Sequence, residues 1–262
     1  MKRFLLILTV AVLAAAGCTK KVPSQQLVYG FAQHFDKEGD RYTEQLVQLD
    51  PGKRADFITL QLSRVIKAAD IWSIDFEYTE KAPGADSDTL QAGVTKTGEA
   101  IVAELQSREK DPTISMISAC LDDPAACAAV LDVLDAFKKA KLRPAFAVRA
   151  VFFDGGATGT DGLKAVVDDF VMSNELAAFD IHVSSNDTIP ERTFIIEDKL
   201  AFASKIVEII PEYLQPVCDV DMLTGEFPRK GWPTLIPTYR YRLGSDRLTD
   251  LKALTAFTFL LN

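Results

Sequence analysis

The stretch "AFAVRAVFFDGGATGTDGLKAVVDDF", Ala145 to Phe170, sets the reading of the fold. Ala145 to Phe153 is apolar apart from Arg149, the composition of a central strand buried on both faces. "LKAVVDDF" reads as helix, and the glycine-rich "DGGATGTDG", Asp154 to Gly162, joins the two. Upstream, "VLDAFKKAKLRPAFAVR" feeds a helix directly into that strand. The middle of the chain therefore alternates helix and strand.

Working outward, three Asp-Pro pairs mark expected helix starts: Asp50-Pro51, Asp111-Pro112 and Asp123-Pro124. Asp can accept from the free N–H groups of a first turn, and Pro suits the first helical position. After the first pair Ile58, Leu62, Val65, Ile66 and Ala69 share one helical face; after the third, Cys127, Val130, Leu131, Leu134 and Phe137 do. A further helix is expected over about Gly98 to Lys110. "IWSIDFEYT" alternates Trp72, Ile74, Phe76 and Tyr78 with Ser73, Asp75, Glu77 and Thr79, the period of a strand. Phe179, Ile181 and Val183 alternate with Asp180, His182 and Ser184 in the same way. "TYRYRL" and "LTAFTFLL" read as two strands joined around Gly244-Ser245-Asp246, and Leu27 to Leu49 reads equally as a hairpin or a helix. The expectation is a single α+β domain over residues 27–262, with a mixed sheet and a C-terminal antiparallel hairpin. A degenerate α/β barrel is the alternative.

The chain opens "MKRFLLILTVAVLAAAGCTKK": Lys2 and Arg3, then an apolar run to Ala16 broken only by Thr9, then small residues and a cysteine. The run falls short of the roughly 18–20 residues a bilayer requires and has secretory-signal proportions. Ala15-Ala16-Gly17-Cys18 resembles the lipobox of bacterial lipoproteins, with Ala15 where Leu is commoner. The resemblance implies a signal peptide over residues 1–17, lipidation of Cys18 and a tether over 18–26. It implies a lipid-anchored protein of the bacterial cell envelope, held by acyl chains rather than a transmembrane helix. Thr19 stands where the inner-membrane retention signal typically has Asp, so the outer membrane, facing the periplasm, is favoured.

The formal net charge is −8 over 262 residues, and loss of Lys2 and Arg3 with the signal makes the mature chain more acidic. Such a surface is not expected to seek nucleic acid or anionic head groups. Export places the cysteines in oxidising surroundings. On an unbroken helix Cys120 and Cys127 would lie about 10 Å apart, too far to bond. A turn at Asp123-Pro124 could bring them together, so the pair is a disulfide candidate, with two buried free thiols as the alternative and Cys218 unassigned.

Gly156, Gly159 and Gly162 give the loop the order G-x-x-G-x-x-G, which resembles the dinucleotide loop of extended short-chain dehydrogenases. The loop lies deep in the chain, Asp161 stands where that family packs an apolar residue, and export removes the chain from the nucleotide pool. No nucleotide and no other cofactor is expected. Asp154 and Asp161 could offer oxygen ligands to calcium, but at no recognised spacing. The simplest reading is a surface loop using glycine for its backbone angles. "DIWSIDFEY", Asp70 to Tyr78, resembles the acidic strand of chitinase-like glycosidases, with Ile71 for its glycine and Ser73 for its middle Asp. That resemblance implies Glu77 as the acid and Asp75 as its neighbour, two carboxylates on one strand face. The only histidines, His34 and His182, are too few for a multi-histidine metal site.

By subtraction, the expected function is a non-catalytic binding or assembly role in the envelope, toward a protein, glycan or lipid partner. A lipid-anchored glycan hydrolase using Asp75 and Glu77 is the alternative.

Overall fold

The computed structural model describes residues 41–67, 70–80, 94–107, 113–139, 144, 146–186, 189–197, 220–225 and 236–261. Eight strands form one open mixed sheet: β1 (Ile71–Glu80), β2 (Val94–Leu105), β3 (Thr113–Cys120), β4 (Ala147–Phe153), β5 (Leu176–Ser184), β6 (Thr193–Glu197), β7 (Asp221–Gly225) and β8 (Thr238–Arg242). Their order is β1-β2-β4-β3-β5-β8-β6-β7. β4, β3, β5 and β8 run parallel, while β1, β2 and β6 enter antiparallel to their neighbours nearer the centre. The mixed α+β reading therefore holds, and the barrel does not: β1 and β7 are separate edges and the sheet does not close.

Among the described residues five helices flank the sheet: α1 (Arg41–Val47), α2 (Pro51–Val65), α3 (Pro124–Lys139), α4 (Asp161–Met172) and α5 (Arg247–Leu261). One apolar cluster joins Leu46 of α1, Ile58 and Leu62 of α2, most of α3 and Leu251, Leu254 and Phe257 of α5 to Ile117, Val148, Phe152, Ile181 and Tyr241 of the sheet. On the other face Leu163, Val166, Val167 and Phe170 of α4 cover Val102, Met116, Val151 and Phe153. Each large side chain so buried contributes roughly 1.5–3 kcal/mol. β4 is buried throughout, because it has a neighbour on both edges and helices over both faces. Its one charge, Arg149, pairs with Glu104 at 2.7 Å and with Glu175, and lies between the rings of Trp72 and Phe170.

Several expectations are corrected. Residues 98–105, expected to be helical, belong to β2, where Ile101 and Val102 face opposite clusters as strand alternation requires. The second Asp-Pro pair lies outside the described residues, and the segment after it is β3, not a helix. "TYRYR" is β8, but "LTAFTFLL" lies in α5, so no terminal hairpin exists. Asp246 supplies the missed start signal: its carboxylate accepts from the backbone N–H and the hydroxyl of Thr249, the latter at 2.6 Å. Of Leu27 to Leu49, Arg41–Val47 is helix and residues 27–40 lie outside the described residues, as do the signal, Cys18 and Cys218.

Candidate functional site

Parallel strands in an open sheet place ligand crevices at their carboxyl ends, where neighbouring connections leave to opposite faces. β3 and β4 are such a pair. β3 leads into α3 on one face, and β4 leads into α4 on the other. Cys120 and Phe153 end the two strands as register partners. The chain continues as Leu121-Asp122-Asp123 on one side of the gap and as Asp154 to Thr160 on the other. The Leu121 N–H donates to the Phe153 carbonyl at 2.8 Å, and the Asp154 N–H donates to the Glu99 carbonyl at 2.9 Å, fixing the floor of the crevice.

Asp123 is the best-held carboxylate there. Its Oδ1 accepts from the Ala126 N–H at 3.0 Å, capping α3, and from the Ser185 hydroxyl at 2.7 Å. Its Oδ2 accepts from the Ser185 N–H at 2.6 Å and the Ser184 hydroxyl at 3.5 Å. One buried side chain thus joins the end of β3, the start of α3 and the exit of β5. Across the gap, Asp154 accepts from the Gly156 N–H at 2.9 Å. Asp161 Oδ2 accepts from the N–H groups of Ala157 and Thr158, and its Oδ1 accepts from the Thr158 hydroxyl at 2.5 Å. Gly156 has φ +60, and a Cβ there would meet Asp161 Oδ2 at 2.6 Å, so glycine is required twice over. The glycine-rich loop is therefore a self-bonded turn ahead of α4, and the calcium candidates Asp154 and Asp161 spend oxygens on that turn.

Cys120 and Cys127 are free thiols, not a bridge. They belong to opposite sides of the sheet: Cys120 packs with the α4 cluster, whereas Cys127 is buried in the other, its thiol donating to the Cys120 carbonyl at 3.2 Å. Burial pushes the Cys120 thiol up to about 11, and the nearby carboxylates of Asp122, Asp154 and Asp123 act in the same direction. Burial also holds the Cys127 thiol well above its ordinary value, so both are thiols at neutral pH.

Asp75 and Glu77 lie exposed on one face of the edge strand β1, which β2 separates from the crevice strands β4 and β3. Behind the crevice Ser118, Asp180 and His182 form a buried polar row. The Ser118 hydroxyl donates to Asp180 at 2.9 Å and lies 3.2 Å from His182 Nδ1. Burial raises the Asp180 carboxyl to about 7, and among the described residues its Oδ1 has no hydrogen-bond partner. Asp122, Asp180 and Ser185 were not legible as site residues in the sequence; only the pairing of β3 with β4 and β5 assembles them.

No protein-family model and no curated protein sequence matches the chain. Solved structures do. A Zn-dependent exopeptidase from Parabacteroides distasonis aligns with a TM-score of 0.57 at 14% identity, over 92% of this chain and 99% of that one. A glutaminyl cyclase from an Acidobacteriales bacterium aligns at 0.60 and 10% identity, over 84% and 91% of the two chains. That of Porphyromonas gingivalis aligns at 0.52 and 14%, over 92% and 98%. These likenesses overturn the expected binding or assembly role and its glycan-hydrolase alternative: the matched structures are a zinc-dependent exopeptidase and two glutaminyl cyclases. At this identity the shared feature is the arrangement of strands, which no local motif carries. Among the described residues no three His, Cys, Asp or Glu side chains converge as metal ligands. What the comparisons establish is the fold, that of zinc-dependent exopeptidases and glutaminyl cyclases.

Proposed function

We propose that the chain acts on the amino ends of peptides, as a peptidase-like enzyme whose substrate enters the crevice between β3 and β4. One observation carries this reading: on a fold shared with exopeptidases, the carboxyl-edge crevice is acidic. Asp122, Asp123 and Asp154 all bear on Cys120 at its floor. A peptide end bearing an α-ammonium group is the complementary charge, and a carboxylate end is repelled. Exposed Asp122 and half-buried Asp154 would meet the ammonium, while Asp123 adds its field from beneath. The test is a peptide mixture presented with free and with acetylated amino ends and followed by mass spectrometry. Conversion confined to free amines supports the reading; an unchanged mixture, or equal conversion of both forms, overturns it.

The anchor belongs to the same proposal. Cleavage before Cys18 and its acylation would hold the domain at the outer membrane, facing the periplasm, where peptides are within reach. The order of charge, apolar run and small residues before Cys18 supports this. Metabolic labelling with a fatty acid should mark the wild type and not Cys18→Ala, and equal labelling of both would refute it.

A further inference from the structure

We propose that the crevice of this chain works without a zinc centre, its principal carboxylate having become a staple of the fold. This stands independently of the peptide reading. A catalytic zinc needs at least three protein ligands, each with a free lone pair aimed at one point.

Among the described residues, Asp123, Asp161, His182 and Cys120 are committed elsewhere. Asp123 receives four donors, from Ala126, Ser184 and Ser185, which fill the roughly four acceptor positions of a carboxylate. Turning it toward a metal would uncap α3 and release the exit of β5. Both oxygens of Asp161 serve the loop. His182 lies within β5 with Nδ1 at 3.2 Å from Ser118 and its ring 5.8 Å from that of Phe153, held in the sheet rather than at its edge. Cys120 is partly buried against the α4 cluster, next to Gly155. Among the described residues, what remains near the opening is Asp122 and part of Asp154, and no three metal-ligating side chains converge.

The test is metal analysis and a melt on the purified mature chain, equilibrated with zinc and then desalted. Far less than one zinc per chain, with a melting temperature that a chelator leaves unchanged, is the expected result. One zinc retained per chain, or a chelator-induced fall in melting temperature that zinc restores, overturns the proposal. Repeating the peptide assay in chelator keeps the two readings apart. Conversion that persists supports both, and conversion lost in chelator and restored by zinc sinks the zinc-free crevice alone. No conversion beside a zinc-free chain sinks the peptide reading alone. Asp123→Asn provides a second check. Its melting temperature should fall equally with and without chelator, because the lost bonds are internal; a fall seen only in zinc-loaded protein would assign Asp123 to a metal.

Discussion

Asp123 and Ser185 are joined twice, through the serine backbone N–H at 2.6 Å and through its hydroxyl at 2.7 Å. The two residues lie 62 apart in sequence, so this one carboxylate closes a long loop as well as capping a helix. Losing a cap costs about 1 kcal/mol, and a buried N–H left unpaired costs about 1–3 more. Asp123→Ala should therefore lower stability by roughly 2–4 kcal/mol in denaturant titration, and Ser185→Ala, which keeps the backbone bond, by about 1.

Arg149 makes a second prediction. Glu104 of β2 and Glu175, just ahead of β5, pair with it, and its side chain is only 8% exposed. Removing one partner of a buried ion pair leaves uncompensated charge, a loss of about 3–5 kcal/mol. Arg149→Ala should fall in that range by chemical denaturation. Arg149→Lys should recover only part, since a point charge cannot fork to two carboxylates while filling the space between two rings.

Asp180 sets a pH dependence. Its carboxyl is raised from 3.8 to about 7 by burial, so between those values the folded chain holds a proton that the unfolded chain releases. The associated stability is present in full below about 4 and is lost as pH rises through about 7. Asp132, near 7, and Asp250, near 6, are raised by burial too and act in the same sense. The melting temperature should thus decline from pH 4 toward pH 8. Asp180→Asn should flatten part of that decline, by at most about 4 kcal/mol at about 1.4 kcal/mol for each pK unit. An identical profile for variant and wild type would refute the assignment.

Gly162 allows no side chain. A Cβ there would stand 2.6 Å from the Asp154 carbonyl oxygen and 2.8 Å from the Phe153 Cβ. Gly162→Ala should cost about 1–3 kcal/mol by overpacking the strand-to-helix turn, measured as a shift in denaturation midpoint with unchanged slope.

The strands were legible where one rule governed them. β1 shows its alternation because one face meets α4 and the other meets solvent, and β4 shows its unbroken apolar run because both faces are covered. In β2, Ile101, Val102 and Leu105 also suit helical spacing; its place between β1 and β4 overrides that pattern. The end of α5 is not legible as helix because a short run rich in Thr and Phe carries no decisive period. In the sequence Asp123, Asp154 and Cys120 each carry a separate signal: a helix start, a calcium ligand, a disulfide. Their meeting at one crevice follows from parallel pairing of β3 and β4, which no local pattern encodes.

The guanidinium of Arg149 lies 5.0 Å from the ring of Trp72 and 4.5 Å from that of Phe170. A fixed positive charge over an indole alters its excited state, so Trp72 carries an optical signature of the clasp between β1, β4 and α4. The chain has two tryptophans, the other being Trp232. Replacing Trp232 with Phe would leave a single emitter, and its fluorescence would show whether that side of the sheet stays closed while the opposite edge is at work.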